Sequence, residues 1–180
     1  MYKLLIKTGL KLCRDEIEQI NQAISKEFKA LPLQREDLKN RQFFLLLRDK
    51  KLLAVGQLIP VEPVNFNGET FSILGIGGIL ASKKGKGYGK QIMAAIKDRL
   101  VTKNKTGVGF CKLRNKDFYE KCGFNVDTTL IKRFVFQDGS KKITNSGDDC
   151  VLYLDASDHF MQKVLSYSSQ EVILPRPPDW

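Results

Sequence analysis

A chain of 180 residues, 42% hydrophobic and 28% charged, carries enough apolar material for one packed core and is too short for two domains of ordinary size; its composition excludes a disordered chain. Thirty Lys plus Arg against 20 Asp plus Glu give a net charge of +10, which favours anionic partners: nucleic acid, a membrane surface or a phosphate-rich small molecule. No apolar run approaches the roughly 20 residues of a membrane span and the opening residues lack the features of an export signal, so a cytoplasmic protein without a membrane partner is expected.

The opening YKLLIKT suits a first strand. From Asp15 on, Ile17, Ile20, Ile24, Phe28 and Leu31 recur at the spacing of one helical face, so DEIEQINQAISKEFKAL reads as an amphipathic helix stopped by Pro32. A short turn of helix around REDLKN is a weaker signal. RQFFLLLR, a DKK turn and LLAVGQLIPV form a hairpin, and after an NFNG turn ETFSILGIGGILA supplies a third antiparallel neighbour. KKGKGYGK follows directly, and then Ile92, Met93, Ile96 and Leu100 mark KQIMAAIKDRL as a second amphipathic helix. Further on, TGVGFCKL reads as a buried strand, NKDFYEKC as a short helix ended by Gly123, and FNVDTTLIKRFVF as one longer strand. QDGSKKITNSGDD is expected to be a loop and DDCVLYLD a strand. Residues 159–167 have helical character, and EVIL suits a short strand before PRPPDW. One domain over residues 1–180 is expected, with 157–180 as a carboxyl-terminal extension.

Four cysteines, Cys13, Cys111, Cys122 and Cys150, show no CxxC spacing, and with His159 as the one histidine no zinc set can be assembled. Free thiols packed as small apolar groups, and no metal, are the expectation.

The glycine run poses the functional question. A helix amino terminus offers unpaired NH groups and partial positive charge, glycines let an anion approach the backbone closely, and lysines add charge. KKGKGYGK combines all three at a strand-to-helix junction, where a mere surface turn needs only one glycine. It is therefore read as a phosphate cradle. The P-loop pattern GxxxxGK[ST] is absent, and Gly85, Gly87 and Gly89 give GxGxG where a dinucleotide fingerprint requires GxGxxG after a βαβ strand.

ILASKKGKGYGKQIM resembles the acetyl-CoA loop of the GNAT superfamily of N-acetyltransferases, whose pattern is Gln/Arg-x-x-Gly-x-Gly/Ala between a central strand and a helix. Lys84 stands at the Gln/Arg position, and Gly87 and Gly89 at the two small positions. The resemblance implies that backbone NH groups of Lys84, Gly85, Lys86, Gly87, Tyr88, Gly89 and Lys90 hold the pyrophosphate, and that Ile79 and Leu80 pair through their backbone with the pantetheine arm. Lys in place of Gln/Arg is a departure that keeps the charge where the main chain does most of the work. GVGFCKLRNKDFYEKCGF resembles the following strand and helix with a Phe-Tyr-x-x-x-Gly-Phe signature, here Phe118, Tyr119, Gly123 and Phe124. It implies Tyr119 as the general acid that protonates departing coenzyme A; beside it, Phe118 and Phe124 are read as aromatics packed under a helix and Cys122 as core rather than nucleophile. The resemblance covers residues 41–136. The fold implied is α+β, a central, mostly antiparallel, splayed sheet flanked by helices. Its two splayed strands would be ILGIGGIL and TGVGFCK, and the acceptor amine would attack acetyl-CoA directly.

The general base stays unassigned, because FSILGIGGIL holds no acidic residue and neither Glu62 nor Glu69 can be placed from sequence. The tail PPDW is similar to the ending of aminoglycoside 2'-N-acetyltransferases, which implies acceptor-site roles for Asp179 and Trp180. An exposed tail is the plainer reading of the same residues. A small-molecule amine is the leading acceptor, with an aminoglycoside or a protein amine as alternatives. The rival class is a basic module of the same fold, catalytically idle or binding RNA or DNA through Lys112, Arg114, Lys116, Lys121, Lys132, Arg133, Lys141 and Lys142. No aromatic-rich basic strand or recognition helix accompanies those lysines and arginines, so nucleic acid ranks lower. A homodimer is left open.

Overall fold

Continuous apolar runs bounded by short turn signals shape the first hairpin of the computed structural model, which describes residues 1–28, 32–145 and 147–177. The chain separates into two units, Met1–Ile59 with Gly77–Ile96 and Pro60–Ile76 with Lys97–Trp180.

In the first unit β1 (Lys3–Thr8) lies antiparallel to β2 (Gln42–Arg48), with Leu5 opposite Leu45, and β2 lies antiparallel to the first part of β3 (Lys51–Phe66), with Phe43 opposite Gln57. Helix α1 (Arg14–Phe28) buries Ile20 and Ile24 against Leu12, Phe43, Leu45 and Val55, together with Leu80 near the end of β4 (Glu69–Ala81). Full burial of such side chains contributes about 1.5–3 kcal/mol each. Ile79 of β4 and Ile92 and Ile96 of α3 (Tyr88–Lys103) crowd over Gly56. The start of α1 is closed by its own acid: Glu16 Oε2 accepts the Cys13 amide at 2.9 Å, and Lys7 Nζ donates to Oε1 and Oε2 at 2.6 and 2.8 Å. Partial burial pushes the Glu16 carboxyl up, but the Lys7 and Cys13 hydrogen bonds outweigh it and hold the group below the ordinary glutamate range. A short α2 (Arg35–Leu38) precedes β2.

In the second unit β4 runs parallel to β5 (Gly107–Cys111) through the pairs Leu74–Gly107, Gly75–Val108 and Ile76–Gly109. Beside β5 lies antiparallel β9 (Cys150–Leu154), followed by β6 (Asn125–Asp127). A second run joins the far part of β3 to β10 (Val172–Leu174), then β7 (Phe134–Asp138) and β8 (Lys141–Thr144). Of these ladders only β4–β5 and β10–β7 are parallel, so the sheet is mixed and mostly antiparallel. Helix α4 (Lys116–Lys121) follows β5, and α5 (Phe160–Ser166) packs Phe160, Met161 and Val164 into a core with Phe71, Phe110, Phe134 and Val172. The Phe71 and Phe160 rings are 4.9 Å apart.

The expected elements appear with three changes. FNVDTTLIKRFVF is two strands, because Asp127 Oδ1 accepts the amides of Thr129 (2.6 Å) and Leu130 (3.1 Å) and turns the chain after β6. KKIT, expected in a loop, is β8, which its pairing with β7 alone provides since all four residues are exposed. The hairpin turn narrows from NFNG to Asn67-Gly68, with φ +48° and +79°, the left-handed pair that closes a two-residue hairpin. Among the described residues no helix is long and apolar enough to cross a membrane.

Candidate functional site

Residues 82–87 between β4 and α3 are exposed. Gly85 and Gly87 both have φ +75°, a left-handed conformation that side chains disfavour, and a Cβ built on either would meet nothing within 4 Å. The space beside this backbone is therefore open. The Ser82 amide donates to Leu53 O at 2.8 Å, and the next amide with a protein acceptor among the described residues is that of Gln91, to Gly87 O at 3.2 Å. The amides of residues 83–90 are left to solvent or a ligand, flanked by exposed Lys83, Lys84, Lys86 and Lys90, and the first turn of α3 contains no acidic residue. Such a turn suits an anion such as a diphosphate: the backbone at Gly85 and Gly87 is open, the helix start carries partial positive charge, and lysines flank it.

The side chain of Tyr88 is buried against Tyr2, with ring centroids 5.7 Å apart, and its hydroxyl is held above the ordinary tyrosine range by the hydrogen bond with Tyr2. Gly89 lies half-buried in the first helical turn. Next to the loop, Leu53, Leu80, Ala81, Ser82 and Lys84 line a cavity of about 210 Å³ under α1. Leu80 turns its side chain into the α1 cluster and Ile79 turns toward Gly56.

A polar pair that the sequence reading passed over joins the residue before β2 to β3. Arg41 Nη1 donates to Gln57 Oε1 at 3.2 Å, and Gln57, buried on β3, faces Gly78, a β4 residue with φ +58°. The signal was available: Gln57 is the one polar side chain in LLAVGQLIPV.

In the second unit α4 carries Tyr119, which is buried. Its hydroxyl is driven well above the ordinary range, first by burial, then by Cys111, Asp148 and Cys122 nearby. A phenol so placed keeps its proton at neutral pH; it can give a proton to a strong base such as a thiolate but cannot serve as a resting base. The Cys111 thiol is likewise pushed up to about 12 by burial and by Cys150, its partner across the β5–β9 ladder. It is a packed thiol. Gly123, at φ +83°, ends the helix, with its amide on Glu120 O (2.9 Å) and that of Phe124 on Tyr119 O (3.2 Å). Phe124 is buried as expected, whereas Phe118 is not a packing residue of the core: it is 36% exposed, with its ring 5.0 Å from that of Tyr119. Of the cysteines, Cys111 and Cys150 are buried, Cys122 half-buried and Cys13 exposed, so the packed-thiol expectation fails at Cys13, which precedes the first turn of α1.

Neither acid weighed as a base is poised for it. Glu62 is exposed, and Glu69 pairs with Lys163 at 2.5 Å. Asp179 and Trp180 lie outside the described residues. Three of the basic residues grouped as a nucleic-acid face have protein partners: Arg133 donates to the carbonyls of Val164, Tyr167 and Gln170, Lys142 pairs with Glu171 at 2.7 Å, and Lys116 with Glu120 at 3.8 Å.

The chain superposes on Escherichia coli ElaA with a TM-score of 0.62 at 15% identity, over 86% of this chain and 100% of that one. It superposes on an acyl-CoA N-acyltransferase from Pseudomonas aeruginosa with a TM-score of 0.55 at 20% identity, over 71% and 91%. A glucosamine-6-phosphate N-acetyltransferase from Arabidopsis thaliana gives 0.55 at 15% identity, over 82% and 99%. At these identities the likeness is one of fold. No curated protein matches the chain in sequence. The family model of the GNAT acetyltransferases matches residues 11–124, which span the first helix, the glycine turn and the tyrosine helix, and with that match the chain belongs to the GNAT family of acetyltransferases and is an acyltransferase.

Proposed function

We propose that the protein is an acetyl-CoA-dependent N-acetyltransferase that moves the acetyl group to an amine of a small molecule by direct attack. The backbone amides of residues 84–90 bind the diphosphate, with Lys84 and its neighbours adding charge, and the main chain of Ile79 and Leu80 aligns the pantetheine arm as an added strand. Acetyl-CoA brings the activated acyl group. In the transfer the amine nitrogen bonds to the carbonyl carbon, the carbon–sulfur bond breaks, the thiolate takes a proton from Tyr119, and the amine gives up a proton to solvent, from which Tyr119 is reprotonated. Holding the two reactants together supplies much of the rate, since no covalent enzyme intermediate is needed.

The observation that carries this reading is the open, left-handed backbone at Gly85 and Gly87 ahead of a helix without an acid in its first turn. Support for Tyr119 comes from its buried, fully protonated hydroxyl. The test is thiol release from acetyl-CoA against polyamines, aminoglycosides, amino acids and peptides, together with calorimetry at low salt. Turnover with a small amine is expected. Tyr119→Phe should leave acetyl-CoA affinity intact and lower kcat about 100-fold. Absence of acetyl-CoA binding by the wild-type protein would overturn the proposal, and equal loss of binding and turnover in the Phe variant would return Tyr119 to a packing role.

A further inference from the structure

Gln57 is 6% exposed and is the one polar side chain in the stretch LLAVGQLIPV of β3. A buried carboxamide has an oxygen and two N–H groups to satisfy. The oxygen is taken by Arg41 Nη1 at 3.2 Å. A guanidinium has no acceptor, so this contact fixes which way the amide lies and turns Nε2 away from Arg41. There Nε2 faces Gly78: a Cβ at that position would stand 2.8 Å from it. Among the described residues Nε2 donates to no protein acceptor, yet it is not sealed from solvent. An oriented donor with a free N–H thus looks onto the left-handed turn of β4 immediately before Ile79 and Leu80.

The chemistry of the transfer selects what such a donor can help. An attacking amine must keep its lone pair for the carbonyl carbon, and an N–H aimed at that pair would hold it back. The carbonyl oxygen, in contrast, gathers negative charge as the amine adds, and a preoriented N–H stabilises it increasingly along the way. The positive charge of Arg41 on the amide oxygen strengthens the N–H as a donor. We propose that Gln57 Nε2 donates a hydrogen bond to the thioester carbonyl oxygen of the acyl donor, with Arg41 as the positioning residue; this rests on the acetyltransferase reading above.

The experiment compares acetyl-CoA with S-ethyl-coenzyme A, a thioether of similar shape without the carbonyl oxygen, by calorimetry on the full chain, and measures thiol release in parallel. Gln57→Leu removes the donor. Gln57→Glu keeps the size and the Arg41 contact but presents an acceptor, so it guards against a Leu variant that fails to fold. Both variants are expected to weaken acetyl-CoA about 3- to 10-fold while S-ethyl-coenzyme A stays within about 2-fold, and to lower kcat about 100-fold. Equal weakening of both ligands, or unchanged kcat with a lowered melting temperature, overturns the assignment and makes Gln57 a packing residue. Wild-type protein that binds neither ligand overturns the acetyltransferase reading and this assignment with it, whereas wild-type binding of both with unaffected variants overturns the assignment alone.

Discussion

At the start of α5 the Asp155 carboxylate takes the amides of Met161 and Gln162, each at 3.0 Å, and Asp158 takes that of Phe160 at 3.2 Å; at the start of α3 the corresponding amides meet no acceptor of the protein among the described residues. Both are helix amino termini with the same orphan donors and the same partial charge. What differs is the sequence in front. Asp155, Ala156, Ser157 and Asp158 bring acids that fold back onto the helix, and wholly buried Thr106 ties them down, with Oγ1 at 3.0 Å from Asp155 Oδ1 and 2.7 Å from Asp158 Oδ1. The glycines and lysines ahead of α3 bring no acceptor, and an N–H group shut away from water without a partner costs about 1–3 kcal/mol. Such donors persist only where water or a ligand reaches them. A saturated helix start is a structural joint, and a bare one that stays exposed is available for binding.

Breaking the saturated end should have the largest effect. Asp155→Ala removes two charged hydrogen bonds to the α5 amides and deprives the Thr106 hydroxyl of an acceptor, so a loss of about 4 kcal/mol in urea unfolding is expected, with acetyl-CoA affinity unchanged for the protein that remains folded. Loss of affinity alone would contradict the comparison. At the bare end the effects should be reversed. Gly87→Val puts a branched side chain where φ is +75° and where the cradle is open, and is expected to lower acetyl-CoA affinity at least about 100-fold, some 2.7 kcal/mol, by calorimetry. Its melting temperature should fall by less than that of Asp155→Ala. If Gly87→Val binds acetyl-CoA like the wild type, the bare amides are not the diphosphate site.

The bare end was legible in the sequence because its requirement is local: eight consecutive residues must supply flexibility, charge and the helix start together. The hairpin strands were legible for the same reason, since their apolar runs and the turn residues between them are contiguous in the sequence. β8 was not, because KKIT has no apolar face and becomes a strand only through β7. The surroundings of Tyr119 were half legible. Its own position follows from the residues of α4, but Cys111 and Asp148, which together with burial keep its proton on, come from β5 and from the turn before β9 and are joined to it only by folding. Gln57 shows the same limit. Its oddity among apolar neighbours is plain in sequence, while its orientation depends on Arg41, 16 residues away, and on the backbone turn at Gly78.

The start of α1 offers a smaller, pH-dependent version of the saturated case. Glu16 reaches back to the Cys13 amide and is bound by Lys7, with side-chain exposures of 11% for Glu16 and 28% for Lys7. Its carboxyl is held below the ordinary glutamate range, so at a pH where the unfolded chain has begun to take up a proton there the folded chain has not. The unfolded state binds more protons through that window. The contribution of Glu16 is therefore complete above about pH 5, and it drains away as the pH falls through the lowered value of the folded state. Glu16→Gln keeps the shape but loses the charge, and about 1 kcal/mol of stability at pH 7 is expected to go with it. The gap between wild type and variant, followed by urea unfolding, should close as the solution is acidified below about pH 4. A gap that stays constant across that range would mean that the amide accepts the Cys13 N–H as well as the carboxylate does and that the charge on Lys7 contributes nothing.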